Sequence, residues 1–250
     1  MSPGRHAKST TRPVETKPVS DLECTVTALV PMRHHSERVP GKNYRLMAGR
    51  PLYAYILETL LCCRGVSQIA VDTDSPVIRE GVAQRFPSVI LIERPEALRG
   101  GEVPTNAILE HDLGLLEGEF FLQTHCTNPL LTSATVDRAV EAFCLAFPGR
   151  DSLFSVTRWQ KRLWRPDATP INHDPAVLLR TQDLPPVFEE NSCLYLFERQ
   201  GFLARGNRLG VSPVLFEIDA REALDIDEEQ EFRLVESLLL SGRFTPGAGA

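Results

Sequence analysis

Long apolar runs are missing from this chain: none reaches the roughly 18–20 residues that a membrane-spanning helix needs. An excess of positive charge is missing too. Lysine and arginine number 27 against 33 acids, for a formal net charge of -6. That balance argues against nucleic acid as a partner, because binding a phosphate backbone requires a basic surface. Cysteine is sparse: six residues, Cys24, Cys62, Cys63, Cys126, Cys144 and Cys193, fall mostly inside apolar segments. No C-x-x-C spacing occurs, and adjacent cysteines such as Cys62 and Cys63 rarely bridge. The expectation is six reduced, buried thiols in a cytoplasmic protein. There is no G-x-x-x-x-G-K-[ST] phosphate loop and no Ser-His-Asp or Cys-His arrangement for covalent catalysis. The opening 1–23 stretch holds Pro, Ser, Thr, Lys and Arg without an apolar centre. It lacks the features of a secretory signal and reads as a disordered extension.

What is present suits one soluble domain over 24–245, with 42% hydrophobic and 24% charged residues in 250. That length buries a core without needing a metal or disulfides. Apolar β-type runs at 25–31, 67–74, 88–94, 120–124 and 152–157 alternate with helical patterns at 51–63, 75–86, 105–116 and 133–147. This alternation predicts an α/β fold with a mostly parallel sheet between helices. Periodicity stops over 158–190, a Pro-rich stretch with Trp159 and Trp164 that reads as an inserted hairpin or arm. Strands resume at 192–198 and 213–218, and a last helix follows "DIDEEQEFRLVESLLL" at 225–240.

In open α/β sheets, ligands bind beyond the carboxyl ends of the strands. The loop "RHHSERVPGKN" after the first strand therefore stands at a ligand rim, with Arg33, Arg38 and Lys42 against one acid, Glu37. Arg33 offers a planar fork and Lys42 a point charge for phosphate oxygens. A solvated basic loop is the bland explanation. Asp225 and Asp227 flank one apolar residue, so both carboxylates can face one side of an extended segment and hold Mg2+. Asp227 with Gln230 also fits a helix capping box, whereas Asp225 has no capping duty. In "VDTD", Asp72 and Asp74 imitate a metal pair, although Asp74 before Ser75–Pro76 equally suits a helix cap. Arg180, Gln182 and Asn191 gather just beyond the Pro-rich, aromatic part of this segment, where an arginine and two amides suit a hydroxylated anion.

These segments resemble a known family. "ALVPMRHHSERVPGKN", "MAGRPLYAYILETLL", "VDTDS", "RPEAL", "TNPL", "RTQDLPPVFEENSCLYLF" and "DIDEEQEF" follow the order found in acylneuraminate cytidylyltransferases, from about residue 25 to 240. The resemblance implies a nucleotide-diphospho-sugar transferase-like fold and Mg2+-dependent transfer from CTP to an acidic 2-keto sugar, with pyrophosphate released. It implies that Arg33, Ser36, Lys42, Asn43, Arg94 and Thr105 hold CTP, and that Arg33 and Lys42 stabilise phosphate charge. Asp225 and Asp227 fall on the metal pair, and Arg180, Gln182 and Asn191 on the sugar pocket. The arm resembles the segment by which relatives form homodimers. Met32, His35 and Glu37 stand where the family motif has alanine, glycine and lysine. His125 takes the place of the family glutamine unless Gln123 does so by a two-residue shift. Gly101 and Glu102 follow "RPEAL" where an acid is usual. Kdo or a phosphonate as the acceptor, a glycosyltransferase using Asp72 and Asp74, and a non-catalytic binding protein stay open as alternatives.

Overall fold

The computed structural model describes residues 24–242; the expected N-terminal extension at 1–23 and the last residues of the expected domain lie outside them. Strand β1 (Val26–Met32) is central. It pairs in parallel with β4 (Val66–Thr73) on one side and β6 (Phe120–Thr124) on the other. Flanked on both edges and covered on both faces, it is apolar almost without break, as such strands must be. Before β4 comes a small antiparallel pair, β2 (Leu46–Met47) with β3 (Arg50–Pro51). Strand β5 (Ile90–Glu93) adds in parallel outside β4. Beyond β6 lie β8 (Val187–Glu198), β7 (Ser152–Trp159) and β9 (Pro213–Glu217), so the seven-stranded order is β5-β4-β1-β6-β8-β7-β9. Only β8 runs antiparallel to its neighbours, and the mostly parallel sheet expected from the sequence is present.

Alternation along β1 sends Val26, Ala28, Val30 and Met32 to one face and Leu29 to the other. Helices α1 (Leu52–Leu61), α2 (Pro76–Arg85) and α4 (Ser133–Ala146) cover the first face, and α3 (Thr105–Leu113) and α5 (Arg199–Arg205) the second. In α4, Val136, Ala139, Val140 and Phe143 recur at helical spacing and are all buried. Helix α6 (Glu229–Leu240) sets Phe232 and Val235 against Leu52 and Tyr55 of α1.

Two local expectations are corrected and one is sharpened. The cap of α2 is Ser75, whose hydroxyl accepts from the Ile78 N–H, so Asp74 is released for another partner. The cap of α6 is Glu228, in a reciprocal box with Glu231, so Asp227 stands outside the helix. The arm has strand structure at both ends, because Arg158 and Trp159 of β7 pair with Phe188 and Val187 of β8. Its apolar and polar residues do not alternate, since much of this ladder is uncovered. One redox expectation also fails. Cys24 and Cys144 form a disulfide across 120 residues, and Cys62 is exposed, leaving Cys63, Cys126 and Cys193 as the buried thiols. Two cysteines so far apart leave no spacing signal, and with the pair bridged the redox argument for a cytoplasmic location no longer holds. No helix among the described residues is long and apolar enough to cross a membrane.

Candidate active site

The carboxyl ends of β1, β5 and β6 open into one cavity of about 520 Å³. Its walls come from the loop after β1, the segment after β5 that runs into α3, the turn after β6, and the segment that leads into α6.

The loop after β1 is braced rather than loose. Gly41 has φ +66°, and a Cβ there would fall 2.9 Å from the Tyr44 ring, so both the conformation and the close approach demand glycine. Asn43 donates its amide to the Arg33 carbonyl at 2.9 Å and accepts from the Cys126 thiol. Its side chain therefore shapes the loop, while Arg33 and Ser36 line the cavity. Lys42 is buried, and its ammonium donates to the Ile226 carbonyl and reaches Asp227 Oδ1 at 3.2 Å. The His34 N–H donates to Asp74 at 2.6 Å and its ring meets the Ser75 hydroxyl. Asp74 thus holds the loop from behind, away from the cavity. Glu37 lines the cavity as well.

Asp225 and Asp227 face this loop. Burial raises the pKa of the Asp225 carboxyl, and Asp227's charge adds to the effect; a hydrogen bond with Thr127 opposes it. Its Oδ1 is buried with no partner. Burial would raise Asp227 too, but Lys42 and Arg38 outweigh it and hold the carboxylate below its usual range. The Arg38 guanidinium lies 2.8 Å from Asp227 Oδ1. An unpartnered, desolvated carboxylate oxygen beside a second ionised carboxylate suits a hard divalent cation. The pair therefore fits Mg2+.

On the opposite wall, Arg94, Thr105, Ile108, Gly101 and Glu102 line the cavity. Arg94 is buried and bonded to Asp72, whose carboxyl burial raises despite that partner. Asp72 is therefore engaged behind the wall and does not form a cavity-facing pair with Asp74. His111 and Asp112 of α3 approach Asp72 to form a cluster within 4.8 Å.

The acceptor residues divide. His125 lines the cavity, whereas Gln123 is fully buried behind it and bonded to His125 at 3.0 Å. His125 is thus the residue on the wall. Burial, with Arg208 and Lys42, lowers its pKa to about 4, so the imidazole is neutral near pH 7. Asn191 bonds to Ser155 and Thr157 within the sheet, and its neighbour Ser192, at φ +60°, lines the cavity instead. Arg180 pairs with Asp183, and the Gln182 carbonyl accepts from Gln160. Both lie on the arm, outside the cavity of their own chain. Ser192 is a cavity residue that was not singled out from the sequence, and Arg38, counted there among the cations of the loop, was given no site role. For Arg38 the signal was there, in its place between Arg33 and Lys42.

An open, mostly parallel sheet carrying such a site at its carboxyl rim is the nucleotide-diphospho-sugar transferase type of α/β fold. The chain belongs to the cytidylyltransferase family, whose family model matches residues 27–242. It is 25% identical over 222 residues to N-acylneuraminate cytidylyltransferase A of Danio rerio, covering 86% of this chain and 51% of that protein. The chain thus spans about half the length of that relative. It is 24% identical over 237 residues to post-translational flagellin modification protein B of Campylobacter coli, covering 88% and 96%. Among solved structures, a CMP:2-keto-3-deoxy-manno-octonic acid synthetase complexed with CTP superposes with a TM-score of 0.64 at 15% identity, covering 87% of this chain and 99% of that one. That likeness concerns the fold.

Proposed function

We propose that this protein transfers the cytidylyl group of CTP to an acidic 2-keto sugar of the sialic acid kind, giving a CMP-sugar and pyrophosphate. The observation that carries this reading is the meeting of two charge sets in one cavity. Arg33, Arg38 and Lys42 face Asp225 and Asp227 in a chain of the cytidylyltransferase family. A free triphosphate needs the cations, and a divalent ion needs the carboxylates. Bound between Asp225 and Asp227, Mg2+ would neutralise charge on the phosphate oxygens.

The chain's own residues do the remaining work by position and charge. Arg33, Ser36 and Lys42 hold the triphosphate. Asn43 keeps the loop in shape by fixing the Arg33 carbonyl. Asp227 keeps Lys42 extended toward the phosphates. Arg94 and Thr105, on the opposite wall, take the nucleoside. The anomeric hydroxyl of the acid attacks the α-phosphorus and gives up its proton to solvent, forming the new P–O bond as the bond to the β-phosphate oxygen breaks and pyrophosphate leaves.

A homodimer through the arm accompanies this reading. Its support is apolar surface without a cover: Leu178 is 88% exposed, and Trp164, Ile171, Val177 and Leu179 are also open. Arg180 and Gln182 would then serve the partner's cavity. Sedimentation at micromolar concentration should give a dimer, and a monomer would overturn this part.

The reaction is tested by pyrophosphate release from each of the four nucleoside triphosphates with a panel of sialic acids, Kdo and a phosphonate. Release with CTP and a 2-keto sugar acid is expected. Release without any acceptor preference, or hydrolysis of a preformed nucleotide sugar in place of CTP-dependent release, would contradict it.

A further inference from the structure

One cation beside the cavity has no part in the triphosphate site. Arg208 lies between α5 and β9, with its guanidinium carbon 3.6 Å from the centroid of the Tyr195 ring. Its Nη1 donates to Gln123 Oε1. With that oxygen taken, the Gln123 amide nitrogen faces the Thr124 carbonyl at 3.1 Å and His125 Nε2 at 3.0 Å. An amide nitrogen only donates, so His125 Nε2 accepts and the proton of the neutral imidazole sits on Nδ1. The hydrogen bonds therefore run one way, from Arg208 through Gln123 to a residue on the cavity wall.

The other shielded cations of the site have carboxylate partners. Lys42 has Asp227, and Arg94 has Asp72. Among the described residues no ion pair includes Arg208. Glu190, the acid whose charge it feels, is bonded to the Tyr195 hydroxyl instead. A partly buried guanidinium with no carboxylate partner of its own is costly to keep charged. A neutral hydrophobe stacked on Tyr195 would avoid that cost, so the charge calls for a use, and the hydrogen bonds it starts end at His125 on the cavity wall.

Resting on the reaction proposed above, we infer that Arg208 determines acceptor specificity: acting through Gln123 and His125, its charge draws the acceptor's carboxylate to that wall. Arg208 is a specificity residue rather than a catalytic one, since it need not touch the reacting atoms. Its effect falls on the acceptor's KM and on the choice between charged and neutral acceptors, not on CTP.

The test compares the parent with Arg208→Gln and Arg208→Met, using CTP with a 2-keto sugar acid or its neutral carboxamide. Met keeps an apolar stem against Tyr195, so one variant should fold if the other does not, and calorimetric CTP affinity at the parental level verifies folding. The parent should prefer the acid. Both variants should raise the acid's KM on the order of tenfold to a hundredfold, the size of one lost charge-assisted interaction. The KM for CTP should stay within about twofold, and the preference for acid over carboxamide should collapse. Arg208→Lys should restore part of it. A folded variant that keeps the parental acid KM and acid preference overturns the proposal, as does a parent that uses the carboxamide equally well while cytidylyl transfer stands. A parent that releases no pyrophosphate from CTP with any acceptor overturns the reaction itself, and the Arg208 proposal with it.

Discussion

At Asp225 stability and chemistry pull in opposite directions. Its carboxyl is desolvated, has one oxygen without a partner, and lies beside a second carboxylate. Asp225→Asn keeps the shape and removes the buried charge. The melting temperature at pH 7 should stay level or rise, while Mg2+-dependent turnover should fall about a thousandfold, as the loss of several kcal/mol of charge stabilisation implies. Thermal melts beside steady-state rates check both, and parental turnover would remove the metal assignment. Lys42 gives the complementary case. Its ammonium is fixed by the Ile226 carbonyl and Asp227, so its charge is already placed for phosphate. Lys42→Met should weaken CTP binding about tenfold to a hundredfold and leave CMP binding nearly unchanged. Calorimetric titration with both nucleotides decides, and equal losses would mean that this loop does not hold the triphosphate. Much at this scale was legible, because Arg33, Ser36, Lys42, Asp225 and Asp227 lie in compact motifs. The partnerships were not. Arg94 meets Asp72 from 22 residues away, Lys42 meets Asp227 from 185, and Arg208 meets Gln123 from 85, distances over which spacing carries no signal.

Among the elements, α3, β4 and the residue that follows β5 form one electrostatic unit behind the cavity wall that carries Arg94 and Thr105. Burial, then the charge of Asp72, pushes the Asp112 carboxyl up to about 8. The folded protein therefore keeps a proton there that the unfolded chain loses near pH 4. Between about pH 4 and 8 the unfolded state binds fewer protons, so this group makes stability fall as pH rises, by at most about 1.4 kcal/mol per unit. A protonated Asp112 also supplies a donor for Asp72 Oδ2, which has no other partner. Asp112→Asn offers a donor with no proton to lose. Its melting temperature should drop less than the parent's between pH 5.5 and 8.5, and identical pH profiles would refute the shared proton. The helices and strands themselves were readable wherever one apolar period persisted, as in α4 and β1. Boundaries shifted where a cap competed: Ser75 and Glu228 took the roles that Asp74 and Asp227 were also fit for. The extent of the strands at the base of the arm was not legible, because an uncovered ladder selects for no alternation.

The whole molecule is closed by a bridge that no spacing announced. Cys24 precedes β1 and Cys144 lies in α4, so the disulfide ties the first strand's approach to the helix covering it. Thiol titration should find one reactive cysteine in the native protein, Cys62, then four after denaturation and six after reduction. Reduction should destabilise the fold by about 2–4 kcal/mol. Six thiols in the unreduced protein would refute the pairing.

In the proposed reaction the cavity breaks CTP between its α- and β-phosphates and passes the cytidylyl half to an acid. Following CTP labelled at either its α- or its γ-phosphorus, with a 2-keto sugar acid and Mg2+, tests this most directly. The α-label should appear in a product that also contains the acid, and the γ-label in pyrophosphate, in equal amounts. The γ-label appearing in inorganic phosphate, or the α-label remaining in free nucleotide, would contradict the account.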